Sequence, residues 1–259
     1  MTEMLWYLDC YLHEWSATIT EIIGDENNTE VVLDVTAFYP EGGGQPSDTG
    51  IISLNEVKFN VLSSRKSEGN IFHKVTQKEF DNTSGVGDKS KLISNDKNGL
   101  KVGDAVFCKV DWQRRYTLMR YHTACHILSR IVLNETGALT TGKQIYIDRA
   151  RIDFSLKDFD KNKIKGYEEL ANQAIQQEHD IKWFVARRED ADKIPDLVRL
   201  KHKPLPEDMR EVRIVDIINC DAQACGGTHL KNTREVGRII VTKAENKGKE
   251  NRRIEFVLE

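Results

Sequence analysis

The chain has none of the features that would place it in a membrane or outside the cell. In 259 residues, no apolar run approaches the roughly 18 residues that a spanning helix needs. The N-terminal stretch MTEMLWYLDCYLHEW puts Glu3, Asp9, His13 and Glu14 where a secretion signal needs an apolar core. Cysteine is scarce. Five, odd in number and scattered, do not describe a disulfide framework or predict a disulfide-linked partner, and they fit a reducing, cytosolic setting. Net charge is low, at -3. No Lys-Ser/Thr follows the glycine-rich stretch, so it is not a nucleoside triphosphate loop.

The charge is nevertheless uneven. Residues 1–60 hold eleven acidic residues and one lysine, whereas 231–253 hold eight Lys/Arg and three Glu. A nucleic-acid partner is expected to meet the C-terminal part, although a solvated charged face gives the same pattern.

The hydrophobic pattern predicts two domains of an α+β protein. In residues 1–110, LWYLDCYL, SATITEI, EVVLDVTAF and ISLNEVKFNVL read as short strands of a small antiparallel, barrel-like β-domain, interrupted by the turn-rich YPEGGGQPSDTG. The polar stretch 77–101 reads as a surface insertion, and AVFCKV as one more strand. From 111 to 259 the pattern changes. Asp111 is a candidate N-cap for one long helix, WQRRYTLMRYHTACHILSRIVLNETG, with Gly137 as its stop. ALTTGKQ reads as a turn, YIDRARIDFSL as a strand and 160–179 as a second helix. IKWFVA, EVRIVDII, VGRIIVTKA and RRIEFVL read as strands, with CGGTH in a loop.

Two short motifs carry chemistry. His122 and His126 stand at i and i+4, which puts both imidazoles on one helix face about 6 Å apart. Cys225 and His229 are offered by a loop, because Gly226 and Gly227 disfavour a helix. Three His and one Cys make a donor set that Zn²⁺ prefers. Spacing alone leaves open a closed structural site and a catalytic one with a labile position. Cys125 and Cys220 read as packing cysteines. HTACH lacks the glutamate of HExxH, which argues against a zinc peptidase.

FYPEGGGQPSDTG, DWQRRYTLMRYHTACHIL, RIDF, CGGTHL and NKGKENRRIEF, in this order, resemble the motifs of the free-standing alanyl-tRNA editing proteins. These are relatives of the editing domain of alanyl-tRNA synthetase and, more distantly, of threonyl-tRNA synthetase. The length is like that of the medium-length, trans-acting class. The resemblance implies an editing domain of the threonyl/alanyl-tRNA synthetase second-additional-domain type. It also implies hydrolysis of mischarged tRNA(Ala), chiefly Ser-tRNA(Ala) and with Gly-tRNA as a further candidate, at zinc held by His122, His126, Cys225 and His229. Thr36 matches the threonine assigned to the serine hydroxyl, and Gln45 is a further polar group expected to face the site. Gly42, Gly43, Gly44, Gly226 and Gly227 are expected to let the backbone approach substrate or ion. Lys247, Lys249, Arg252, Arg253, Arg114 and Arg115 are expected to meet tRNA phosphates. The alternative is a non-catalytic tRNA-binding module with a structural zinc.

Overall fold

The computed structural model describes residues 1–25, 28–77, 99–156, 160–199, 205–248 and 251–259. Nearly all of the polar stretch 77–101 lies outside them, as does Lys249. Two compact units form: Met1–Glu41 with Ser47–Arg115, and Gly42–Pro46 with Tyr116–Glu259.

The first unit contains β1 (Glu3–Met4), β2 (Glu14–Ile23), β3 (Thr29–Leu33), β4 (Val35–Thr36), β5 (Gly50–Leu54), β6 (Val57–Ser67), β7 (Asn70–Thr76) and β8 (Ala105–Val110). Six of these close an antiparallel barrel in the order β2-β3-β7-β6-β5-β8. Closure leaves no unpaired edge among them. Period-2 alternation decides what faces inward: Trp15, Ala17 and Ile19 from β2, and Val106, Cys108 and Val110 from β8, are buried with Phe38, Ile52 and Phe59. The barrel fulfils the expected β-domain, but LWYLDCYL is not a strand. Leu5–Tyr7 is a 3-10 turn, closed by Leu8 and Asp9 N–H groups on the Leu5 carbonyl. Trp6 fixes it by packing edge-on against Tyr7 and Tyr39, each at 5.7 Å. These local bonds and rings override the β-propensity of the segment.

Arg115 corrects the sequence reading. It was expected to meet phosphate, but it is fully buried against Asp48, itself fully buried. Its Nε donates to both Asp48 oxygens at 3.0 Å, Nη1 to the Cys10 carbonyl at 2.9 Å, and Nη2 to Asp48 and the Ala37 carbonyl. Asp48 also accepts the Tyr39 N–H at 2.6 Å. The fork of five donors thus ties three segments of the first unit together.

The second unit takes in most of α1 (Trp112–Thr136), then β9 (Thr140–Ile145), β10 (Ala150–Phe154), α2 (Lys161–Gln176), β11 (Ile181–Arg187), α3 (Arg188–Ala191), β12 (Glu211–Ile217), β13 (Asp221–Ala224), β14 (Ile239–Gly248) and β15 (Asn251–Leu258). One antiparallel sheet has the order β14-β15-β10-β9, another the order β11-β12-β13. Asp111 begins α1 by accepting the Arg114 N–H at 3.2 Å, and Gly137 ends it with φ of 71°. Residues 121–129 are buried all round, which is why α1 carries little amphipathic signal. ALTTGKQ, read as a turn, is mostly β9. Its polar, glycine-containing sequence hides the strand, and pairing with β10 supplies the ladder.

Replacing Arg115 with Met strands the Asp48 carboxylate in the interior. This is expected to cost about 3–5 kcal/mol, read from urea unfolding. A loss under about 1 kcal/mol would mean that the pair does not hold the unit together.

Candidate metal centre

His122, His126, Cys225 and His229 converge: one donor atom from each lies within 4.8 Å of all the others. Successive turns of α1 supply the first two. The imidazole centroids lie 5.2 Å apart for His122–His126, 4.3 Å for His122–His229 and 4.5 Å for His126–His229. Cys225 Sγ lies 3.5 Å from His122 Nε2 and 3.4 Å from His229 Nε2. The three imidazoles are buried and the thiol is partly exposed. Gly227 is required here, because a Cβ would overlap the His122 ring.

Each imidazole is backed by a partner on Nδ1. His122 Nδ1 meets Gln45 Oε1 at 2.7 Å. That oxygen also accepts the Thr228 N–H at 3.3 Å, while Gln45 Nε2 donates to Thr228 Oγ1 at 2.9 Å. Because a backbone N–H only donates, the amide orientation is fixed and His122 Nδ1 must carry the proton. His229 Nδ1 meets Thr123 Oγ1 at 3.1 Å. His126 Nδ1 faces Asp221 Oδ2 at 3.5 Å, an ion-pair distance rather than a close hydrogen bond. The proton on His122 Nδ1 leaves its Nε2 lone pair for a cation. Such outer partners are what a histidine ligand needs to hold its tautomer.

The electrostatics agree with this donor set. Burial alone would raise the Cys225 thiol, but His122 and His229 outweigh it and hold it well below the ordinary range, favouring the thiolate that binds metal. Burial would also raise the Asp221 carboxyl, yet His126 and Arg199 hold it down at about 2. Arg199 and Arg130 both donate to its Oδ1, the latter at 3.0 Å. Cys125 is not in the cluster; burial pushes its thiol up to about 12. Three imidazoles and a thiol held toward its thiolate in a buried cluster fit a zinc ion.

The glycine-rich stretch turns out to be a scaffold for this cluster. Gly42 and Gln45 exchange backbone hydrogen bonds of 3.1 and 2.9 Å, and Gly43 and Gly44 have φ of 59° and 82°. Two central residues at positive φ are the signature of a type I′ turn. A Cβ at Gly44 would overlap the Lys143 carbonyl, and Ile145 N–H donates to Gly44 O at 2.7 Å. The close approach expected of Gly44 and Gly227 is therefore to this chain itself, while Gly43 and Gly226 are exposed. Gln45, expected to face substrate, stands behind His122 and has no exposed surface.

Thr36 lies in the first unit, fully buried. His73 Nδ1 faces the Val31 carbonyl at 3.0 Å and must donate, so its Nε2 accepts. The Thr36 hydroxyl accordingly donates to His73 Nε2 at 2.9 Å and accepts the Phe38 N–H at 3.1 Å. One acceptor lone pair of Thr36 remains. Burial holds His73 down at about 4.

The expected phosphate contacts are engaged elsewhere. Arg114 donates to the Ser47 carbonyl at 3.3 and 3.2 Å. Arg252 is buried and donates to Asn246 Oδ1 and the Gly248 carbonyl at 2.9 and 2.6 Å. Arg253 forks onto Asp153 at 2.7 and 2.8 Å. Lys247 pairs with Glu245 at 2.9 Å and stays partly exposed. Local basic excess in a sequence did not reveal these partners.

Residues 212–255 match the model of the threonyl and alanyl tRNA synthetase second additional domain, and residues 11–114 that of class II (A) tRNA synthetases. Over 261 residues the chain is 43% identical to the alanyl-tRNA editing protein AlaX-M of Methanosarcina barkeri, covering 100% of this chain and 99% of that protein. The chain belongs to the alanyl-tRNA editing protein family. A more distant AlaX-M, from Saccharolobus solfataricus, is 37% identical with 100% and 99% covered. The alanine–tRNA ligase of Pyrococcus furiosus is 34% identical over 94% of this chain and 24% of the ligase. HxxxH and CxxxH carry the cluster. Thr123, Asp221, His73 and Lys143 escaped the sequence reading, because each gains its role only from partners far away in the chain.

Two outcomes follow. Asp221→Asn is expected to weaken zinc binding about 10–100-fold, measured by chelator competition; an unchanged affinity would remove Asp221 from ligand orientation. The second concerns acid. An unfolded histidine protonates near pH 6.5, but folded His73 stays neutral to about 4. The unfolded chain therefore takes up the proton first as pH falls. Stability should drop between about pH 6.5 and 4 by up to about 1.4 kcal/mol per unit. Urea unfolding at stepped pH should show this slope, and His73→Gln should make it shallower, with His122 and His229 carrying the remainder.

Proposed function

We propose that this protein is a trans-acting deacylase that hydrolyses the ester of mischarged tRNA(Ala), chiefly Ser-tRNA(Ala), in the cytosol. The observation that carries this reading is the cluster of three imidazoles and one thiol, with His122 fixed by Gln45 in the tautomer that frees Nε2. His122, His126, Cys225 and His229 would hold zinc, whose Lewis acidity toward the ester or its amino group is the chemistry it supplies. Gln45, Thr123 and Asp221 keep the ligands aimed. A water attacks the carbonyl that joins the amino acid to the terminal ribose, and the ribose oxygen leaves with the proton.

The physical need for such a step is plain. A pocket built for alanine rejects serine poorly, since the extra hydroxyl is small. A second site must accept serine and spare alanine. Thr36 is proposed as the reader. Its proton is committed to His73 and one lone pair to Phe38, so it offers only an acceptor, which a serine hydroxyl satisfies and an alanine methyl cannot. Losing that one further hydrogen bond costs about 0.5–1.5 kcal/mol, up to roughly tenfold in rate. The same hydroxyl also joins β4 to β7, so structure and selectivity must be measured apart. Lys247, Lys249, Arg252, Arg253 and Arg114 remain the proposed phosphate contacts; among the described ones Lys247 is the most available, because an exposed ion pair exchanges partners at little cost.

The decisive experiment presents Ser-tRNA(Ala) and Ala-tRNA(Ala) to the zinc-loaded protein and follows amino-acid release. Serine is expected to be lost quickly and alanine spared. Thr36→Val should then lower the serine-to-alanine rate ratio by about tenfold; lost stability with an unchanged ratio would assign Thr36 a structural role alone. If a folded, zinc-bearing protein hydrolyses neither substrate, the deacylase reading fails and a tRNA-binding module with a structural metal takes its place.

A further inference from the structure

The feature of the cluster that the function above leaves unused is Lys143. It sits on β9, one of the two edge strands of its sheet, and its Nζ lies 2.7 Å from His122 Nε2. Among the described residues this is its only hydrogen-bond partner. The acceptor is the same lone pair that the Nδ1 proton of His122 frees for a metal. A cation on Nε2 and a hydrogen bond to Nε2 exclude each other, so a bound metal leaves the ammonium without an acceptor. The carboxylate on the neighbouring strand β10, Asp153, is held by both arms of Arg253.

Access points the same way. The three imidazoles of the cluster are buried, whereas Lys143 and Cys225 are partly exposed. Lys143 therefore stands at the open side of the cluster. The backbone around it is held in place: its carbonyl leaves no room for a side chain at position 44, and Ile145 N–H is bonded to Gly44 O. An ammonium on a fixed strand, at the mouth of a buried cationic site and short of an acceptor, suits a group that develops negative charge during reaction.

We propose that Lys143 is a catalytic residue that stabilises the oxyanion formed from the ester carbonyl. The inference rests on the deacylase reading. The water oxygen bonds to the carbonyl carbon, and the carbonyl π pair moves onto its oxygen. That oxygen takes the hydrogen bond that Lys143 gives up at His122. As the carbonyl re-forms, the carbon–oxygen bond to the ribose breaks, and the ribose oxygen departs as a hydroxyl carrying a proton from the attacking water. A preorganised charged donor acts mainly on the transition state, because the carbonyl carries little charge beforehand.

The test compares wild type, Lys143→Met and Lys143→Arg in single-turnover hydrolysis of Ser-tRNA(Ala). Zinc content is measured alongside, as is binding of a non-hydrolysable seryl-3′-aminoadenosine amide. Lys143→Met is expected to lose about 10²-fold or more in rate while keeping one zinc per chain and binding the amide within about tenfold. Lys143→Arg, which keeps the charge, should recover part of the rate. A Lys143→Met variant that hydrolyses at the wild-type rate would overturn the assignment and leave the deacylase reading standing. So would one whose rate falls only in proportion to lost zinc. A wild-type protein that hydrolyses neither Ser- nor Ala-tRNA(Ala) would overturn the deacylase reading, and the role of Lys143 with it.

Discussion

The hydrogen bond from His122 to Gln45 is the constraint on which the cluster depends. An imidazole can place its proton on either nitrogen, and only one choice leaves the lone pair that points toward Cys225 and His229. Gln45 makes that choice because Thr228 has already fixed which way its amide points. Thr123 and Asp221 stand against Nδ1 of the other two rings, and the Asp221 carboxylate can only accept there. Each carrier of a ligand is thereby cross-braced: α1 against the CGGTH loop through Thr123, α1 against β13 through Asp221, and both against the glycine-rich turn through Gln45. The glycines at 44 and 227 are the steric counterpart of that bracing, since a side chain at either would push the parts apart.

A second theme is that charge inside this protein is nearly always paired. Arg115 lies wholly within the first unit against Asp48, and Asp221 collects His126, Arg130 and Arg199 in the second. Buried charges of this kind are tolerated because each guanidinium lies against a carboxylate. Such pairing fixes geometry more than it adds stability, which is what a site built from several distant segments requires. Lys143 differs: among the described residues, the one hydrogen-bond partner of its Nζ is a lone pair that a metal would take.

How much of this was legible in the sequence depends on the range of the interaction. The i, i+4 histidines, the capping of α1 by Asp111 and Gly137, and the alternation in β2 and β8 are local, and local spacing reveals them. The CGGTH loop was legible because two adjacent glycines disfavour a helix. β9 was not, because TTGKQ has no β-signature of its own and becomes a strand by pairing with β10. Arg115 was misread since nothing beside it in the sequence announces Asp48, 67 residues away. Gln45 was recognised as important but assigned the wrong side of the site, and its real partners are 77 and 183 residues distant.

Those separations have a kinetic consequence. The Gly42–Pro46 segment is flanked on both sides by chain of the first unit, yet it belongs in space to the second. Neither unit can be separated from the other by a single cut without taking Gln45 away from His122. During folding the turn reaches its place only once His122 and Thr228, 77 and 183 residues downstream of Gln45, have been brought to it. Contacts of such high sequence separation close late. The histidines of α1 can be in register long before their tautomers are set, so the ability to hold a metal should be among the last properties that the folding chain acquires.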